Sequence, residues 1–220
     1  MKKREGFTLA ELILSVFIFG FISASLATIV STTNRHMFQN YRRNIIKTNL
    51  LLSMRAIQNN LSVATRVDLP AIGGQGNVLA FAVNVDQMDG CYPISAGNTV
   101  SWHYFCLAAN TNLYYYTGTI NGNAATACGT PGPALWNPGT GYTVPACGGN
   151  GGTLMMENAS PPPSVGTLFT RRPADGVNEA DIVRIALRTF WSAAGRGFGS
   201  SQRDVDSTLD SVVKFNRARP

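Results

Sequence analysis

The sequence predicts an α+β chain: one long N-terminal helix, then antiparallel strands and a long Gly/Pro-rich loop. Three observations carry this. From Phe7 to Val30 the only ionisable residue is Glu11, and the run exceeds the roughly 20 apolar residues a membrane-spanning helix needs. No Gly or Pro interrupts residues 31–69, where Leu50, Met54, Ile57, Leu61 and Ala64 step by four, three, four and three, as on one helix face. Beyond Gly76 short segments rich in aromatic and β-branched residues replace that period.

The N-terminal element begins behind Met1-Lys2-Lys3-Arg4-Glu5-Gly6. A secretory signal has an apolar stretch of about 7–15 residues and then a small-residue cleavage site. Here the apolar run is longer and no A-x-A site precedes Ser31. The candidate junction, Gly6-Phe7, lies before the run, so cleavage there leaves the whole apolar helix on the mature chain. Lys2, Lys3 and Arg4 hold the N-terminus on the cytoplasmic side and direct the remainder outward. A carboxylate in lipid costs about 2.5–3.5 kcal/mol on insertion scales, which marks Glu11 as a functional residue.

The expected domains are a leader over 1–6, a transmembrane helix over 7–30, its periplasmic continuation over 31–69 and a globular β domain over 70–220. Pro70 and Gly73-Gly74 end the helical region. Within the β domain, 77–83 and 99–107 read as strands. Residues 108–112 read as a turn and 113–117 as the returning strand of a hairpin. In 181–191, Val183, Ile185 and Leu187 alternate with Arg184 and Arg188, the pattern of a half-solvated antiparallel strand. Residues 210–215 form the last expected strand, with Gly195–Gly199 in the loop before it. Residues 118–166 are crowded with Gly, Pro, Asn and Thr and read as one long irregular loop.

The formal charge is +6; removing the leader's net +2 leaves about +4 on the mature chain. The cations are scattered without the aromatic interleaving of a nucleic-acid groove, so no specific nucleic acid is expected. The cysteines Cys91, Cys106, Cys128 and Cys147 allow three pairings, of which the local pairs Cys91–Cys106 and Cys128–Cys147 are favoured. In an exported domain all four are expected as disulfides. No CxxC spacing exists, and His36 and His103 are far apart, so neither a metal nor another cofactor is expected. Asp86 to Gly90 lacks the remaining ligands of a calcium loop. No nucleophile–base pattern stands out, and an enzyme is not expected.

Gly6-Phe7-Thr8-Leu9-Ala10-Glu11 before an apolar helix resembles the class III leader of type IV pilins and type II secretion pseudopilins. The resemblance covers about the first thirty residues. It implies the pilin fold, a long helix packed on an antiparallel sheet. It implies cleavage after Gly6 by a membrane-embedded prepilin peptidase that also N-methylates Phe7. The residue matching Glu11 is thought to pair with the terminal amine of a neighbouring subunit. Implied partners are that peptidase and methylase, other pilin or pseudopilin subunits, an inner-membrane assembly platform and the lipid bilayer. The implied location is the bacterial inner membrane, with the N-terminus cytoplasmic and the C-terminal domain periplasmic or extracellular.

A looser similarity, over residues 51–58, the Trp102-to-Tyr116 hairpin and residues 211–217, is to J-type minor pseudopilins and W-type minor pilins. It implies a structural subunit at or near a fibre tip. The alternative is a membrane-anchored extracellular binding or adhesion protein using the same leader.

Overall fold

The computed structural model describes residues 8–86, 92–94, 99–119, 146–172, 181–192 and 204–215. Helix α1 runs Leu9–Ser62, a single element of 54 residues. The chain divides into two compact units, one holding α1 up to Asn44 and the other holding α1 from Ile45 together with the strands.

Among the described residues ten strands follow: β1 Arg66–Leu69, β2 Gln75–Gly76, β3 Val78–Val83, β4 Ser101–Leu107, β5 Leu113–Thr119, β6 Thr153–Met156, β7 Ala159–Ser160, β8 Phe169–Arg172, β9 Asp181–Trp191 and β10 Val205–Phe215. They form two sheets, not one. The first has the order β1-β3-β4-β5-β6; the second has the order β10-β9-β8-β2, with β7 paired to Thr189 and Arg188 of β9. Every pairing is antiparallel.

One core joins α1 to both sheets. Leu50, Met54, Ile57 and Leu61, the stripe read from sequence, pack with Leu79, Phe81, Phe105 and Leu113 of the first sheet and with Phe169, Val183, Ile185, Leu187 and Val213 of the second. Phe81, Phe105 and Phe169 are among the largest fully buried side chains, each contributing about 1.5–3 kcal/mol on transfer from water. Polar contacts fix the helix within this unit: Ser53 Oγ donates to the Met155 carbonyl at 3.0 Å and Gln58 Nε2 to Ser211 Oγ. Alternation sends Trp102, Tyr104 and Cys106 of β4 to the opposite face, where they form a second cluster with Ala80, Ala82, Val85 and Tyr116.

Three expectations are corrected. α1 ends at Ser62, not at residue 69, and Arg66–Leu69 is strand. The cause is tertiary: Thr65 Oγ1 donates to the Val85 carbonyl at 2.7 Å and accepts from the Val85 amide at 2.9 Å, holding the chain against the first sheet. The segment 118–166 is not all irregular, since it contains β6 and β7. The last strand begins at Val205, five residues earlier than expected. The expected loop at Gly195–Gly199 lies outside the described residues.

The sheets meet at a buried charge cluster. Arg66 Nε lies 2.7 Å from Asp68 Oδ1, with both side chains under a tenth exposed. From β8, Arg171 Nη1 donates to the Val67 carbonyl of β1 at 2.6 Å. Burial pushes the Asp68 carboxyl up, opposed by Arg66 and Arg171. On the outer face of the second sheet, Arg184 forks onto Asp210 and Arg188 onto Asp206, with Arg188 also over the Phe190 ring. Solvent screens these exposed pairs, so they add little to stability.

Candidate functional site

The start of α1 is built around Thr8 and Glu11. Thr8 is the N-cap, because the first intrahelical bond runs from the Leu12 amide to its carbonyl at 3.2 Å. The Glu11 amide donates to Thr8 Oγ1 at 3.4 Å, while the Thr8 amide and hydroxyl each donate to Glu11 Oε2 at 2.9 Å. This is a capping box, in which a Thr and a Glu three residues later satisfy each other's backbone donors. Both Thr8 bonds fall on Oε2. Oε1 carries no bond among the described residues and is free to accept a donor from outside the helix.

The Thr8-Leu9-Ala10-Glu11 pattern is the four-residue sequence signature of this box. Capping uses one carboxylate oxygen, so it is compatible with the expected assembly role of Glu11. Gly6 and Phe7, the expected cleavage and methylation positions, lie outside the described residues.

The helix beyond the cap is apolar on all sides. Leu12, Ile13, Leu14, Val16, Phe17 and Phe19 are all exposed, and the helix is long and apolar enough to cross a membrane. Leu9 to Val30 spans about 33 Å at 1.5 Å per residue, close to the roughly 30 Å of a hydrocarbon core. Several of its hydroxyls bond back to the helix backbone: Ser15 Oγ donates to the Leu12 carbonyl at 2.9 Å, Ser25 Oγ to the Phe21 carbonyl at 2.9 Å, Thr28 Oγ1 to the Ser25 carbonyl at 2.7 Å and Thr32 Oγ1 to the Thr28 carbonyl at 2.8 Å. In lipid each would otherwise be a costly orphan.

The cysteines correct the favoured pairing. Cys106 is bonded to Cys147, 41 residues away, which excludes both local pairs as drawn; Cys91 and Cys128 lie outside the described residues. The reason lies in the second cluster. Cys106 faces away from α1, and the turn at Ala146–Gly149 folds onto that face. Tyr116 completes the attachment: its hydroxyl lies 3.2 Å from the Ala146 and Gly149 carbonyls and accepts from the Gly148 amide at 3.0 Å. Gly148 has φ +82, and a Cβ at Gly152 would lie 2.5 Å from the Tyr116 ring, so glycine suits both positions.

His103 is the one histidine in the β domain. Ser101 Oγ lies 3.1 Å from its Nε2 and the Tyr115 hydroxyl 2.7 Å from its Nδ1, and the ring stacks on Phe81 at 5.0 Å. Burial lowers its pKa to about 4. The Ser101 contact has the form of a nucleophile–base pair, yet the partner at Nδ1 is a phenol, and no carboxylate among the described residues orients the ring. Among the described residues no three of His, Cys, Asp and Glu converge on a metal position.

No curated protein and no solved structure gives a significant match to the chain. One family model does: that of the prokaryotic N-terminal methylation motif, over residues 1–27. That segment contains Gly6, Phe7, the Thr8–Glu11 box and most of the apolar stretch of α1. The chain thus carries a prokaryotic N-terminal methylation motif ahead of a long apolar helix with two antiparallel sheets packed on it, an arrangement similar to that of type IV pilins and pseudopilins.

Proposed function

We propose that this chain is a minor pilin-like structural subunit of a type II secretion pseudopilus or a type IV pilus, assembled at or near the fibre tip. Prepilin peptidase cuts it between Gly6 and Phe7 and methylates Phe7, leaving Phe7–Val30 as the anchor. The leader cations keep the N-terminus cytoplasmic, and the sheets face the periplasm or beyond. The role is structural, not enzymatic.

The observation that supports this most is the geometry of Glu11, the one ionisable group in the apolar run. Its Oε2 closes the helix cap while Oε1 remains able to accept from a neighbour's terminal amine. A buried carboxylate is tolerable when it meets a cation, and breaking one side of such a pair costs about 3–5 kcal/mol.

Two substitutions separate the roles of the two oxygens. Glu11→Gln keeps a side chain that can close a capping box but removes the charge; Glu11→Ala removes both. Both variants should insert and be cleaved normally, since losing a carboxylate makes a helix more comfortable in lipid. Both should lose co-purification with companion subunits to a similar degree. Recovery of partners by Glu11→Gln at the wild-type level would assign Glu11 to capping alone. Intact-mass analysis of the same samples should give a methylated Phe7 terminus; a terminus at Met1 or beyond Ser31 would remove the family reading itself.

A further inference from the structure

Among the described residues no strand pairs with the outer side of β10. The strand is 11 residues long, whereas an ordinary one has about 5–6. Its register with β9 runs unbroken from Val205 to Phe215, and it contains no proline. Shortness, a bulge and a proline are among the usual means of keeping an edge from pairing with another strand, and β10 uses none of them.

The backbone groups that face this edge follow from β9. The Ala186 amide donates to the Leu168 carbonyl and the Phe190 amide to the Asn158 carbonyl, so the even-numbered residues of β9 bond away from β10. The odd-numbered ones bond β10, and each stands opposite an odd-numbered partner. Asp206, Thr208, Asp210, Val212 and Lys214 therefore turn their amides and carbonyls to the open side. All five are exposed. Asp206 and Asp210 are matched there by Arg188 and Arg184. Val212 is 60% exposed, and Lys214 forms no ion pair among the described residues.

We infer that this edge pairs with the same edge of a second copy, antiparallel and centred on Val212, so that the second sheet continues from one molecule into the next. A two-fold axis through the centre keeps the exposed faces of both sheets on one side. It sets Val212 against Val212, and each Lys214 against Asp210 of the other copy. One arrangement thus covers the exposed valine and gives both lysines a carboxylate. It also lets residues 210, 212 and 214 of each copy exchange about six backbone hydrogen bonds. The Asp210 carboxylate can serve both Arg184 and the incoming lysine, since its oxygens offer about four acceptor positions. Neighbouring alignments do worse. Centring on Asp210 opposes two aspartates, and centring on Ser211 places Lys214 against Thr208. The pairing uses no residue of α1 and is independent of the role proposed for Glu11.

Cysteine cross-linking of the full chain in detergent reads the alignment. Directly facing residues that exchange hydrogen bonds have Cα atoms about 5.5 Å apart, within disulfide reach. Under mild oxidation Val212→Cys should give roughly tenfold more covalent dimer than Thr208→Cys, which has no copy of itself opposite. Adding Lys214→Glu to Val212→Cys sets a carboxylate against Asp210 and should lower the yield severalfold. Equal dimer from positions 208 and 212 would mean chance collision and overturns the inference. So does an absence of dimer at 212, or a yield that Lys214→Glu leaves unchanged. A peptide map with Cys106–Cys147 intact verifies in each sample that the domain is folded and that the new thiol has not exchanged with it.

Discussion

Removing the Cys106–Cys147 bridge tests how far the second cluster depends on it. The bond closes a chain of sequence separation 41, and the loop-entropy relation for that length gives about 4 kcal/mol of stabilisation through the unfolded state. The variant should be Cys106→Ala/Cys147→Ala, since a single substitution leaves a thiol able to attack another disulfide. Cys106 is fully buried, so the lost sulfur adds a small packing deficit in the same direction. The assay is urea unfolding of the detergent-solubilised full chain, followed by Trp fluorescence; Trp102 is itself in the affected cluster. With a slope of about 2 kcal/mol per molar urea, the midpoint should fall by about 2 M. A companion peptide map under non-reducing conditions should recover Cys106 joined to Cys147. If all four cysteines are oxidised, Cys91 must then be joined to Cys128. A midpoint shift below about 0.5 M would refute the loop-closure reasoning. Recovery of Cys106 joined to Cys91 would refute the pairing.

His103 should make the domain acid-sensitive. Its ring stays neutral in the fold down to about pH 4, whereas an unfolded histidine protonates near 6.5, so stability is fully present above about 6.5 and falls as pH drops towards 4. The shift corresponds to at most about 3 kcal/mol, and about 1–2 is expected for a ring that keeps some solvent contact. His103→Phe should flatten the slope between pH 6.5 and 4 relative to wild type in urea midpoints; an unchanged slope would place the ring in water. Arg171→Met should cost about 2–3 kcal/mol, because it removes the bond to Val67 and an opposing charge from buried Asp68. Arg188→Ala on the open face of the second sheet should cost at most about 1 kcal/mol, and a reversed ranking by thermal unfolding would contradict the burial argument. Gly152→Ala should destabilise by about 1–3 kcal/mol through the Tyr116 ring, read as a lower unfolding temperature.

The parts of the fold that sequence disclosed are those with a local cause. The α1 stripe follows from spacing alone: Leu50, Met54, Ile57 and Leu61 are buried on the helix, and Ala64 is buried just beyond its end at Ser62. The alternation in 181–191 is that of β9, with Val183, Ile185 and Leu187 inward and Arg184 and Arg188 paired outward. The β4–β5 hairpin follows from its aromatic strands and its polar turn. What escaped has causes distant in sequence. Arg66-Val67-Asp68-Leu69 has helix-compatible neighbours and no breaker before Pro70; it is strand because Thr65 bonds Val85, twenty residues on. β6 and β8 have four residues each, too few for alternation to show. Cys106 and Cys147 are neighbours because of the pleat direction of β4 and the turn that covers it. The Thr8–Glu11 box is legible in four letters, since its cause is local: a Thr and a Glu three residues on satisfy each other's backbone donors.

The fastening of the 146–149 turn has a consequence for the chain that precedes it. Strand β5 ends at Thr119, and the chain is held again from Ala146 by Cys147 and by Tyr116. The connection between these points therefore has both ends fixed by contacts outside itself. Doubling the length of such a connection costs only about 0.6 kcal/mol of closure entropy. A single cut between the two anchors leaves both fragments covalently joined until the disulfide is reduced.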